Sequence, residues 1–89
     1  MIEKQITIIN KLGLHARAAA KLIGTTSRFT SDIKISKDGR QVDGKSIMSV
    51  MMLAASKGTE LTFTVEGHDE SDALDAIEVL IQNRFDEAE

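Results

Sequence analysis

At 89 residues the chain is sized for one domain, 1–89, since a chain this short buries only ~60–65% of its unfolded surface and cannot supply two cores. Its apolar share of 42% and charged share of 28%, with a net charge of −3, exclude a disordered tail and a fibrous repeat. Cysteine is absent, which excludes disulfides and thiolate chemistry; with no Trp or Tyr and three Phe, single-strand nucleic-acid binding lacks its stacking platforms.

Ile2 to Ile9 alternates, with Ile2, Ile6 and Ile8 on one face, and predicts a strand. Asn10-Lys11-Leu12-Gly13 breaks it. A helix is expected from Ala16 to about Ser27, with Ala19, Leu22, Ile23 and Thr26 on one stripe and Gly24 as a weak spot. Asp32 to Lys37 predicts a second strand. The Asp38-Gly39 pair predicts a two-residue hairpin turn into a short return strand, Gln41-Val42-Asp43. Ser46 opens a second helix, Ile47 to Ala54, with Val50, Leu53 and Ala54 inward and Gly58 as its stop. Leu61, Phe63 and Val65 alternate with Thr62, Thr64 and Glu66 in the clearest strand. Asp69 to Asp72 starts the last helix, which carries Ala73, Ile77, Leu80, Ile81 and Arg84 at helical spacing and closes at Phe85. The order β-α-β-β-α-β-α implies an α+β protein of two layers, an antiparallel or mixed sheet with helices on one side.

The N-terminus lacks the basic patch and apolar stretch of a signal peptide. The longest mostly apolar run, Ile47 to Ala55, falls far short of the ~20 residues a membrane helix needs. No membrane insertion and a cytoplasmic location are expected. Charge is unevenly spread: residues 1–65 carry ten basic and five acidic side chains, residues 66–89 one basic and nine acidic. Such a field can orient a charged partner. The plainer reading, a C-terminal helix solvated by its acids, explains the acidic part alone.

His15 stands where a helix begins. If the helix starts at Ala16, the backbone N–H groups of Ala16, Arg17 and Ala18 have no intrahelical acceptor, and with the helix dipole they form a ready anion site. Arg17 adds a fixed charge; Lys11 and Lys21 lie near in sequence. An imidazole titrating near pH ~6.5 is a nucleophile at neutral pH. A phosphoryl group placed on it would be stabilised by those donors. On spacing alone, a hydrogen-bonding surface histidine is the commoner outcome. His68, in the Glu66-Gly67-His68-Asp69 loop, reads as a turn residue, and two histidines without cysteine argue against a metal. No cofactor is called for. Ser46 is placed to cap its helix, where a phosphate would also be tolerated. In the helix after it, Met48 and Met52 either face outward as adaptable contacts or join a wider buried stripe with Met51 as gap-filler.

At Lys11-Leu12-Gly13-Leu14-His15-Ala16-Arg17, with Asn10 before it, and at Val42-Asp43-Gly44-Lys45-Ser46-Ile47-Met48, continuing to Ala55, the sequence resembles the HPr family. These are phosphocarriers of the bacterial phosphoenolpyruvate-dependent sugar phosphotransferase system. The resemblance spans essentially the whole chain. It implies an open-faced β-sandwich, with a four-stranded antiparallel sheet and three helices on one side. It further implies a stoichiometric phosphoryl carrier rather than an enzyme: His15 accepts a phosphoryl group on Nδ1 from phosphorylated enzyme I and passes it to the A domains of sugar-specific enzymes II, with Arg17 stabilising it. Ser46 falls on the position that an HPr kinase/phosphorylase modifies in some lineages. Ala16, Ala20, Ile47, Met48, Met51 and Met52 form the expected partner interface, and a monomer suits a shuttling carrier. Many members have proline where this chain has Ala18, which restores one first-turn N–H. The alternatives are a regulatory paralogue of the nitrogen branch, disfavoured by Gly44-Lys45-Ser46-Ile47-Met48, and a nucleic-acid-binding sandwich, disfavoured by the acidic balance and scarce aromatics.

Overall fold

The computed structural model describes residues 1–88. Strand β1, Ile2–Thr7, is followed by helix α1, Ala16–Thr26, and by the hairpin of β2, Asp32–Lys37, and β3, Arg40–Asp43. Helix α2, Ile47–Met51, strand β4, Glu60–Glu66, and helix α3, Glu70–Gln82, complete the order. A single turn, Arg84–Asp86, then bends the chain back.

The four strands form one antiparallel sheet in the order β1-β4-β2-β3. The strand with the cleanest alternation, β4, therefore sits inside the sheet. Its Leu61, Phe63 and Val65 are buried, and Ile35 and Ile33 of β2 stand opposite Phe63 and Val65. The period of two puts all of these on the face that the three helices cover. Lys4 lies on that face too, opposite Phe63, and its ammonium escapes burial by reaching Glu78 of α3 at 2.8 Å. At the hairpin, Asp38 and Gly39 both have positive φ, at 51° and 83°, the geometry that the Asp-Gly pair predicts.

Helix α1 starts at Ala16 as expected and buries Ala18, Ala19, Leu22 and Thr26. The second helix differs from the sequence reading. It ends at Met51, and Ala54 is exposed rather than inward. Ala54 has φ 52°, the left-handed conformation that helices usually end on with glycine. That twist delivers Ala55 to the core and its carbonyl to the Leu14 N–H at 2.8 Å. Gly58, expected as the helix stop, instead shapes the entry to β4: its N–H donates to the Ile8 carbonyl at 2.7 Å.

The C-terminal end also departs from expectation. The helix stops at Gln82, and Arg84 is exposed instead of extending its stripe. Arg84, Phe85 and Asp86 all have positive φ, between 54° and 62°, a conformation costing L-residues ~1–2 kcal/mol each. Burial of the whole Phe85 side chain, worth ~1.5–3 kcal/mol, offsets part of this and anchors the reversal.

Candidate functional site

His15 is the residue before the first helical one, with extended backbone (φ −73°, ψ 178°), and its side chain makes no capping hydrogen bond. The first amide to find a helical acceptor is Ala19, which donates to the His15 carbonyl at 2.8 Å. The amides of Ala16, Arg17 and Ala18 thus face outward from the helix start, as the geometry of any such terminus requires. The approach to His15 is built by Gly13, whose φ of 67° suits glycine. A Cβ there would stand 2.5 Å from the Ala55 carbonyl oxygen, so only glycine lets the two loops pack this closely.

The His15 side chain is 29% exposed, neither entombed nor free. It opens on a groove of about 830 Å³. Ala16, Arg17, Lys11 and Lys21 line one side, and Asp86, Glu87 and Ala88 the other. The structure thus brings His15, Arg17 and both lysines to one open surface groove.

Two contributors were not foreseen. In the sequence Glu87 is one of the acids of a solvated C-terminal surface; in the structure its carboxylate meets the Nε2 of His15. The other carboxylate oxygen accepts from the Nδ2 of Asn10 at 2.9 Å, and the same Nδ2 donates to the Gly13 carbonyl at 2.8 Å. Asn10 is fully buried. The Asn10 amide, then the His15 ring, hold the Glu87 carboxyl below its usual range, helped by the charge of Lys21. Lys21 itself ties the turn down: its Nζ donates to the Phe85 carbonyl at 2.8 Å and lies 3.8 Å from Asp86. The solvated-helix reading of the acids fails at further points, since Glu70 pairs with the N-terminal ammonium at 2.9 Å and Glu78 with Lys4.

Asp69 is the other carboxylate with a structural task. It does not cap α3. It accepts from the Thr30 and Ser31 amides at 2.9 and 3.0 Å, and from the Ser31 hydroxyl. The Ser31 hydroxyl chiefly, with the Thr30 amide, lowers its pKa to about 2. His68 is an exposed turn residue whose Nδ1 lies 3.4 Å from the Thr30 hydroxyl.

Ser46 caps α2, its Oγ accepting from the Ser49 amide at 3.4 Å. Ile47, Met48, Met51 and Met52 are exposed, Met48 by 70%, while Val50 and Leu53 are buried. Outward-facing methionines are therefore the arrangement found. Ala16 and Ala20 are exposed one turn apart on α1, which packs beside α2. Among the described residues no cluster of three or more His, Cys, Asp or Glu is arranged to hold a metal, and no helix is long and apolar enough to cross a membrane.

The profile of the family described as "PTS HPr component phosphorylation site" matches residues 2–83. The chain belongs to the HPr family of phosphocarrier proteins. It is 56% identical over 89 residues to the phosphocarrier protein HPr of Cupriavidus necator, covering 100% of both chains. HPr-C-His from Thermoanaerobacter tengcongensis superposes with a TM-score of 0.96 at 44% identity, again over 100% of both chains. A structure described as an HPr dimer from the same organism gives 0.79 at 45% identity, over 98% of this chain and 100% of that one.

Proposed function

We propose that this chain, acting as one domain over 1–89, is the phosphoryl carrier of the sugar phosphotransferase system. His15 takes a phosphoryl group from phosphorylated enzyme I and hands it to the A domains of sugar-specific enzymes II. The observation that carries the reading is the placement of His15 at an uncapped helix start, in a groove shared with Arg17. A phosphoryl group on the ring brings about two negative charges to the first-turn amides of Ala16, Arg17 and Ala18 and to the Arg17 guanidinium. Transfer of this kind depends on positioning and charge stabilisation more than on acid–base steps. An open groove suits a nucleophile that must meet two different proteins.

The exposed apolar side chains beside the groove, Ile47, Met48, Met51 and Met52 with Ala16 and Ala20, are the proposed docking surface. Unbranched methionines can repack against different partners. Ser46 lies at the edge of that surface, and we assign to it the regulatory phosphorylation by an HPr kinase/phosphorylase where the cell has one. A phosphate there adds charge to a face whose partners are expected to be acidic. The carrier works in the cytoplasm as a monomer.

Incubation with phosphoenolpyruvate and enzyme I, followed by intact-mass analysis, tests the reading. The expected result is an acid-labile gain of one phosphoryl group in the parent and none in His15→Ala of unchanged fold. Undiminished labelling of His15→Ala would sink it.

A further inference from the structure

We propose that Glu87 is a positioning residue for His15: clamped by the buried Asn10 amide, its carboxylate accepts a hydrogen bond from the Nε2–H of the ring and so leaves the Nδ1 lone pair as the nucleophile. The chemistry rests on the carrier reading above, whereas the tautomer follows from contacts alone.

The contacts leave little freedom. Asn10 is fully buried, and its Nδ2 spends its two hydrogens on the Gly13 carbonyl and on one Glu87 oxygen. The other Glu87 oxygen meets His15 Nε2. An ionised carboxylate only accepts hydrogen bonds, so Nε2 must be the donor. A neutral imidazole has a single N–H, hence Nδ1 is bare. The Asn10 amide first, and the ring second, favour the ionised form of Glu87. The other charged groups at this corner are Arg17, Lys11 and Lys21 from one side and Asp86 from the other, with Lys21 engaged on the Phe85 carbonyl. Glu87 reaches this place because three successive residues, Arg84 to Asp86, adopt positive φ around the buried Phe85. Backbone held in such conformations persists where its surroundings over-determine it, and here the buried Phe85 supplies that hold.

The arrangement lets the group pass without any proton moving. The Nδ1 lone pair attacks phosphorus; the N–P bond forms as the bond to the donor protein's phosphorylated side chain breaks, its electron pair leaving on the donor atom. His15 becomes an N-phosphoryl imidazolium that keeps its Nε2 hydrogen, with its positive charge against the Glu87 carboxylate. On the onward step the N–P bond breaks, its pair returns to Nδ1, and a neutral imidazole departs.

Long-range 1H–15N spectra, recorded at mildly alkaline pH, read the tautomer directly in the uniformly labelled full chain. The expected parent spectrum shows a protonated Nε2 and a bare Nδ1. Glu87→Ala should move the ring toward a mixture of tautomers and lower kcat for phosphorylation by enzyme I about tenfold, the order that outer-shell orienting groups contribute, with KM unchanged. Glu87→Gln, which keeps an acceptor but no charge, should restore the tautomer and part of kcat. A parent ring protonated on Nδ1, or a Glu87→Ala spectrum and kcat identical to the parent, overturns the proposal. A parent that takes no phosphoryl group fells the carrier reading instead, while the spectra still decide whether Glu87 sets the tautomer.

Discussion

The helices that begin at Ala16 and at Ile47 face the same shortage of hydrogen-bond acceptors for their first amides and meet it differently. Helix α2 has a serine before it, a preferred capping residue, and the Ser46 hydroxyl closes on the Ser49 amide. Helix α1 has a histidine before it, which makes no capping bond. One start is finished by its own side chain; the other keeps its amides available. Under the carrier reading proposed above, the open amides at α1 are where the charge of the phosphoryl group would sit. What holds the α1 corner in place comes from elsewhere: Gly13 packed on Ala55, Asn10 beneath, and the C-terminal turn carrying Glu87.

Substitution of His15 by asparagine tests this contrast most severely. Asparagine is among the best capping residues, so His15→Asn should abolish phosphoryl uptake, while a new cap worth up to ~1 kcal/mol offsets the lost contact with Glu87 and leaves stability near the parent's. Uptake is read by intact mass and stability by urea unfolding. A clear loss of stability would mean that the ring is part of the scaffold. Arg17→Ala comes next. Arg17 is exposed, so the fold should be untouched. The transfer rate should fall roughly a hundredfold, the order measured when one charge-stabilising donor is removed from a reacting site. Ser46→Ala is the converse at α2: a loss of ~1 kcal/mol in urea unfolding, with the rate of phosphoryl uptake unaltered.

A third helix start sharpens the comparison by pH. Asp69 precedes α3 but spends its carboxylate on Thr30 and Ser31, which lowers its pKa to about 2 against an ordinary 3.8. A carboxylate depressed by folding contributes stability above its unfolded pKa, and loses it as pH falls through the folded value. The stability it supplies should therefore be complete above about pH 4 and decline toward pH 2. Asp69→Asn should flatten the pH dependence of unfolding in that window; a curve parallel to the parent's would show that the Thr30–Ser31 loop gains nothing from the charge.

These contrasts were legible in the sequence to different degrees. The inner strand β4 and the Asp38-Gly39 hairpin could be read because alternation and turn chemistry are local signals. The α1 start could be read because Gly13 and the apolar stripe from Ala19 bracket it. The end of α2 could not: six of the seven residues from Ile47 to Leu53 are apolar, and such a run does not say where the backbone turns. The turn itself falls on Ala54, which carries no left-handed signal. The same silence hides Glu87. Arg84, Phe85 and Asp86 reverse the chain without a glycine or asparagine among them, so the helical pattern runs on in the sequence and nothing there sets Glu87 apart from the other acids. Asn10 stands just before the histidine motif with no task legible locally, because its partners lie on a loop and on a segment 77 residues away.

The smallest effect belongs to Ala18. It occupies the first turn of α1, and its side chain is fully buried. Its amide precedes the first one to find a helical acceptor, that of Ala19. Proline there would remove a donor that the helix does not use, at a position where a fixed φ is already helical. Loss of unfolded-state freedom should add ~0.4–1 kcal/mol if the ring fits beside the core. The phosphoryl group would lose one neutral donor among several, with Arg17 and the remaining amides still in place. Hydrolysis of the phosphorylated Ala18→Pro protein should therefore stay within about tenfold of the parent, the scale of a single hydrogen bond to an anion shared with others, and transfer to the A domains should persist. If the alanine-bearing parent transferred far more slowly than the variant, the extra amide would be over-stabilising the cargo. The openness of the α1 start would then be a quantity to be tuned rather than maximised.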